Sequence, residues 1–213
     1  GSWTDEWDTN HTIDPWNWND FSITQANYDE AKDGGWIIAQ NPEDAEYNPG
    51  LWSKFEWIWD DEGELFYCQS TFDAATEDDA LSADEANADD FAEGCNGFPW
   101  TGMRKTLDIQ GSWTDEWDTN HTIDPWNWND FSITQADNDQ GWLIAQNPED
   151  AEYYPSMWSK FEWTWNDDGE LFYCQTVYDG ETEEDAFLAD PADRTDPAVS
   201  GCGSFAWTAM FPA

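Results

Sequence analysis

His11 and His121 are the two histidines of the chain, and each stands in the string NHTID. An imidazole titrates near neutrality and is the commonest general acid or base. Asp14 and Asp124 follow three residues later and are placed to orient the rings, as the carboxylate of a triad does. A triad also needs an activated hydroxyl or thiol, and no Ser or Cys motif accompanies either histidine. The 48 acidic side chains offer many carboxylate pairs for glycoside hydrolysis, but no spacing selects one. The residues therefore read as those of a non-enzymatic protein. Asn10 and Asn120 begin the sequon NHT, which marks an acceptor only in a source that glycosylates exported proteins.

Carboxylates beside a glycine are calcium-type ligands, and they cluster twice: Asp60, Asp61, Glu62 and Glu64 in DDEGE, and Asp167, Asp168 and Glu170 in NDDGE. EF-hand spacing is absent, so an ordinary acidic hairpin turn is the competing reading. A looser calcium set of Asp5, Glu6, Asp8 and Asp14 is a further candidate. Eighteen tryptophans form the other constellation. Trp3, Trp7, Trp36, Trp57, Trp59 and Trp100 read as core. Trp16 and Trp18 alternate with asparagines and Trp52 lies in the Pro-containing string YNPGLW; with their copies Trp126, Trp128 and Trp158 they read as exposed contact residues.

What must position these groups is a duplicated unit. Gly1 to Ala26 recur letter for letter as Gly111 to Ala136, and the copies divide the 213 residues into two domains, 1–105 and 106–213. The register offset is 110 up to Ala26 and Ala136, 106 from Gly35 and Gly141, and 107 at Cys95 and Cys202. Insertions mark loops, which places 27–34 on one loop and 85–93 on another, both away from the core. A unit copied whole keeps its own staple, so the expected disulfides are Cys68 to Cys95 and Cys174 to Cys202. Each would contribute about 3 to 4 kcal/mol on the chain-entropy model and implies an oxidising compartment. A four-cysteine metal site lacks the usual CxxC pairs.

The string KFEWIWDDEGELFYCQ alternates Phe55, Trp57 and Trp59 against Glu56 and Ile58, turns at 60–63 and returns, which is a β-hairpin with its aromatic side inward. GSWTDEW, HTID, WNWNDFSITQ and GWIIAQN also read as strands, with Asp14-Pro15 and Asn41-Pro42 as breaks, giving about six strands per copy. Thr76 before Asp79 and Thr182 before Asp185 have capping-box spacing and start one short helix per copy. Ala80 and Leu81, or Ala186 and Phe187, are then placed to cover one open end of the fold. Residues 101–110, with Arg104 and Lys105, read as a short tether. The expected fold class is all-β: two tandem small antiparallel β-barrel or β-sandwich domains, each with one helix and one disulfide.

Composition bounds the partners. Six basic against 48 acidic residues give a net charge of -42, which excludes electrostatic attraction to nucleic acid or anionic lipid. Such self-repulsion calls for screening by a saline habitat or by bound divalent cations, calcium being the candidate cofactor, and an acidic excess that serves only solubility is the competing reading. No apolar run approaches a membrane span, and an opening Gly1 in place of an initiator Met reads as a processed chain. At 39% hydrophobic and 17% aromatic residues the chain can bury two cores despite its mean hydropathy of -0.85.

Gly1-Ser2-Trp3 resembles the Gly-x-Trp opening of lipocalin-like and avidin-like barrels, a resemblance that implies a small apolar ligand. The YCQ, GC and FxW pattern from Cys68 to Trp100 resembles small repeat domains of secreted bacterial surface proteins. The expected function is that of an extracellular or cell-surface structural protein of a surface layer, matrix or filament, forming homo-oligomers in a salt- or cation-dependent way. The alternative is a carbohydrate or small-ligand binding module with two Trp-lined sites.

Overall fold

The computed structural model describes every residue of the chain except Glu62. It divides into two compact units, Gly1–Thr106 and Leu107–Ala213. In the first, β1 (Ser2–Asp5), β2 (Asn10–Thr12), β3 (Asn17–Trp18), β4 (Phe21–Asp29), β5 (Gly34–Gln40), β6 (Trp52–Trp59) and β7 (Leu65–Ala74) precede helix α1 (Glu77–Leu81) and β8 (Thr101–Lys105). In the second, β9 (Gly111–Asp115), β10 (Asn120–Ile123), β11 (Asn127–Trp128), β12 (Phe131–Asp137), β13 (Trp142–Gln146), β14 (Trp158–Trp165) and β15 (Leu171–Gly180) precede α2 (Glu183–Leu188) and β16 (Thr208–Pro212). Each unit is an eight-stranded antiparallel meander, curled until its last strand pairs with its first. The second barrel is closed; the first is nearly so, its edge strands β2 and β3 meeting through the single bridge Ile13 to Trp18. Closure removes the unpaired edges through which sheets aggregate.

Eight strands replace the expected six for two local reasons. WNWNDFSITQ is broken into β3 and β4 by Asn19, which adopts the left-handed φ of 50° and accepts the Thr12 N–H at 2.7 Å. Residues 101–105 are the closing strand of the first barrel, and Leu107 and Ile109 are buried in the second core, so the expected tether does not exist. The four-residue insertion after Ala26 is likewise not a loop in the main. It lengthens β4 and β5 to 9 and 7 residues against 7 and 5 for β12 and β13, leaving a turn at 30–33.

Alternation along β6 sends Phe55, Trp57 and Trp59 into the barrel, where they meet Ile37 and Ala39 of β5, Leu65 and Tyr67 of β7 and Met103 of β8. Trp18 lies flat on Phe55 with ring centroids 4.8 Å apart, and Trp128 repeats this on Phe161 at 4.7 Å. Side chains thus fill the barrel, and such stacked pairs contribute about 0.5–1.5 kcal/mol beyond their burial.

The opposite face of the same strands carries a second, smaller packing layer. Alternation sends Ile38, Lys54, Glu56 and Cys68 outward, yet all four are buried. Helix α1, whose Ala80 is fully buried, packs on β5, β6 and β7, and so covers the barrel wall instead of an open end. Its start is capped as expected, the Thr76 hydroxyl accepting the Asp79 N–H; in α2 the reciprocal Asp185 to Thr182 bond completes the box. The acidic loop after α1 also carries core, because Phe91 packs between Phe66 and Trp100 beside the disulfide. Both disulfides have the expected pairing, Cys68–Cys95 and Cys174–Cys202.

Candidate functional site

Each barrel holds its histidine in a polar chain that crosses from wall to core. Asp5 Oδ1 accepts the backbone N–H groups of Trp7 at 3.0 Å and Thr9 at 2.8 Å, which shapes the β1 to β2 turn. Asp5 Oδ2 meets His11 Nε2 at 3.1 Å and the Tyr67 hydroxyl at 3.2 Å. The Trp18 indole N–H donates to His11 Nδ1 at 3.1 Å, which leaves Nε2 as the ring nitrogen that faces Asp5. Asp115, His121 and Trp128 repeat these bonds at 3.2 and 3.1 Å. Asp14, the orienting partner expected from sequence, instead accepts the N–H groups of Trp16 and Asn17 and turns the chain. With both ring nitrogens committed to buried partners, the imidazole braces β1, β2, β3 and β7 and presents no lone pair to a substrate.

Burial pushes the carboxyl of Asp5 upward, but the N–H of Thr9, the His11 ring and the N–H of Trp7 together hold it below its ordinary range. Asp115 behaves alike. Burial and the neighbouring Asp115 push the Tyr173 phenol up to about 12, and Tyr67 rises for the same reasons.

Among the described residues of the acidic turns, carboxylate and amide side chains are engaged within the turns and with Arg104. Asp60 Oδ1 accepts the Glu64 N–H at 2.8 Å, and Glu64 grips Arg104 through two bonds of 2.9 and 3.1 Å. In the second turn Asn166 accepts the N–H of Asp168 and of Glu170 and donates to the Glu170 carboxylate at 2.7 Å. Glu62 lies outside the described residues. Of the looser set, Asp5 and Asp14 accept turn N–H groups as above, and Glu6 accepts the Gly102 N–H at 3.1 Å. Among the described residues no three acidic, His or Cys side chains gather as metal ligands.

The tryptophans are redistributed relative to expectation. Trp18 and Trp128, taken as contact residues, are 5% and 1% exposed core members. Their alternation with asparagine reflects a tight turn and not a surface strand. Trp7, expected in the core, and its copy Trp117 are 71% and 74% exposed, because the Asp5 and Asp115 carboxylates fold them into the turn beyond the strand. Trp16 is exposed as expected, whereas Trp52, Trp126 and Trp158 are half-buried. Phe98 and Phe205, beside the late cysteines, and Tyr47 and Tyr153, between β5 and β6 or β13 and β14, are exposed in both units.

One concavity collects several of these rings. In the second barrel, Phe131, Glu152, Tyr153, Tyr154, Gln175 and Tyr178 line a groove of about 350 Å³. Its wall is braced by Asn147, which donates to the carbonyls of Tyr154 and Tyr178, and by the chain Gln175 to Ser159 to Asn147 with bonds of 2.9 and 2.6 Å. The first barrel has the same braces through Asn41, Ser53 and Gln69, but Asn48 and Phe72 stand where the second has Tyr154 and Tyr178. Tyr154 holds a φ of 53°, a left-handed conformation natural for Asn48 and costly for a bulky ring. Its ring lies 5.7 Å from that of Tyr178. Sequence comparison of the copies could have flagged both substitutions.

No protein-family model matches the chain, and neither a curated protein nor a solved structure matches it. Among the described residues no helix is long and apolar enough to cross a membrane.

Proposed function

We propose that the chain is a secreted, non-enzymatic tandem-repeat structural protein of an extracellular surface, matrix or filament, and that it self-associates through aromatic side chains. The observation that carries this reading is the repeated exposure of large rings: Trp7 with Trp117, Tyr47 with Tyr153 and Phe98 with Phe205 are all at least 70% exposed. Two units offering the same rings allow a heterologous contact to repeat from chain to chain. Aromatic anchors dominate interface energies, and exposing so many on a chain with filled barrels is costly unless something covers them. The net charge of -42 sets the condition, since like-charged chains approach only when salt or cations screen them. Two disulfides support the extracellular setting. Sedimentation velocity from 10 mM to 1 M sodium chloride tests the reading. Growth of oligomers with salt is expected, and a monomer throughout, with or without calcium, contradicts it.

The tyrosine groove favours a second reading, a carbohydrate or small-ligand module. Paired phenols on a braced wall suit a sugar ring, and this reading requires glycan binding that is lost in Tyr154→Asn with the fold intact.

A further inference from the structure

In the outer layer of the second barrel the buried carboxylate of Glu162 holds a half-buried arginine that the first barrel lacks. Arg194 Nη2 donates to Glu162 Oε2 at 3.0 Å and to the Gly141 carbonyl at 3.0 Å, and its guanidinium lies 5.9 Å from the centre of the Trp207 ring. Two bonds of the frame around it recur in the first barrel. Glu56 Oε1 accepts the Ala86 N–H at 3.1 Å as Glu162 Oε1 accepts that of Ala192 at 3.1 Å. The Trp100 indole donates to the Asn87 carbonyl at 3.1 Å as that of Trp207 donates to Asp193 at 2.9 Å. The register that aligns Ala86 with Ala192 puts Ala88 where the second copy has Arg194.

Shortening that side chain leaves a hollow of about 70 Å³ lined by Glu56, Trp36, Ile58, Ala86, Ala88 and Trp100, with Gly35 at the place of Gly141. The Glu56 side chain is 9% exposed. The Ala86 N–H and the Lys54 ammonium both face Oε1, and Oε2, the oxygen matching the one that Arg194 holds in the second copy, is not a sealed, unsatisfied atom. Two cations lie close: Lys54 Nζ at 3.8 Å from Glu56 Oε1, and Lys32 on the rim, paired with Glu85 at 3.1 Å. Both are ammonium groups, which cannot reproduce a planar fork between a carboxylate, a carbonyl and an indole face.

We propose that this hollow is a receptor for a guanidinium group, the head of an arginine side chain carried by another polypeptide. The second barrel serves as the template, with its own Arg194 as the built-in ligand. Arg104, the other arginine of the chain, is held by Glu64, which points to a partner of different sequence.

Titration calorimetry at fixed ionic strength tests this with methylguanidinium and a Gly-Arg-Gly amide, against methylammonium and a Gly-Lys-Gly amide. The parent is expected to bind one guanidinium, with methylammonium at least about tenfold weaker. Ala88→Arg, which supplies the head group internally, should abolish binding while the circular dichroism spectrum is kept. Arg194→Ala should open a second site and raise the stoichiometry to two. Peptide binding well above that of methylguanidinium assigns the site to a protein partner, and equal binding assigns it to free arginine-like solutes. Equal binding of ammonium and guanidinium ligands, binding unaffected by Ala88→Arg, or no guanidinium binding to the folded parent would each overturn the proposal.

Discussion

Trp16 and Trp18 stand two residues apart with opposite fates, one exposed and the other stacked on Phe55. Trp18→Ala should cost about 3–5 kcal/mol and unfold the first barrel early, whereas Trp16→Ala should leave its melting point unchanged by circular dichroism. Sequence could not separate them, because the left-handed turn at Asn19 re-aims Trp18. Trp7 and Asp5 are hidden in the same way, since a carboxylate that caps the next turn looks in sequence like any other acid. The buried chain also sets the pH limits. Asp5 and Asp115 have folded pKa values below their unfolded ones, so their contribution is complete above about pH 4 and is lost as pH falls further. Tyr173 works in the other sense: its pKa is raised to about 12, so its contribution is complete below pH ~10 and is lost as pH rises through 12. A titration at 295 nm should show Tyr67 and Tyr173 ionising late and together with unfolding. Ionisation of all seven tyrosines near pH ~10 with an unchanged fold would contradict the network.

At the scale of elements, the hairpin of β6 and β7, its inward aromatic face, the helix caps and the disulfide pairing were all legible, because period-two alternation, Thr-x-x-Asp spacing and duplication are local signals. The location of α1 was not. Alternation tells which side chains leave the barrel but not what covers them: the Lys54 ammonium bonds the Ala83 carbonyl and the Glu56 carboxylate accepts the Ala86 N–H, both from the segment after α1. The closing strand β8 was hidden too, since its partners lie across the whole unit at β1 and β7. The outer layer gives an element-level expectation. Replacing Cys68 and Cys95 together by Ser should lower the first barrel's stability by about 3 kcal/mol and leave the second barrel's transition in place. Calorimetry would resolve the two transitions, and a matched loss in both would show that the units do not fold independently. Thr182→Ala, which removes the box at α2, should cost about 1 kcal/mol in the second unit alone.

On the scale of the whole molecule, fold class and duplication could be read from the letters, while the surface that carries function could not, because exposure of a ring is decided by turns. Charge acts at this scale as well: at -42, the melting point of both units should rise with sodium chloride, and calcium at matched ionic strength should add little at turns where Arg104 already occupies Glu64. The central claim is that exposed rings join chains once charge is screened. It is tested most directly by sedimentation velocity of the parent and of the Trp7→Ala/Trp117→Ala double variant in 1 M sodium chloride, with circular dichroism on both. We expect the parent to form oligomers and the variant, equally folded, to remain monomeric, each lost anchor costing about 2 kcal/mol of association. A folded variant that associates as the parent does, or a parent that stays monomeric, would contradict the account.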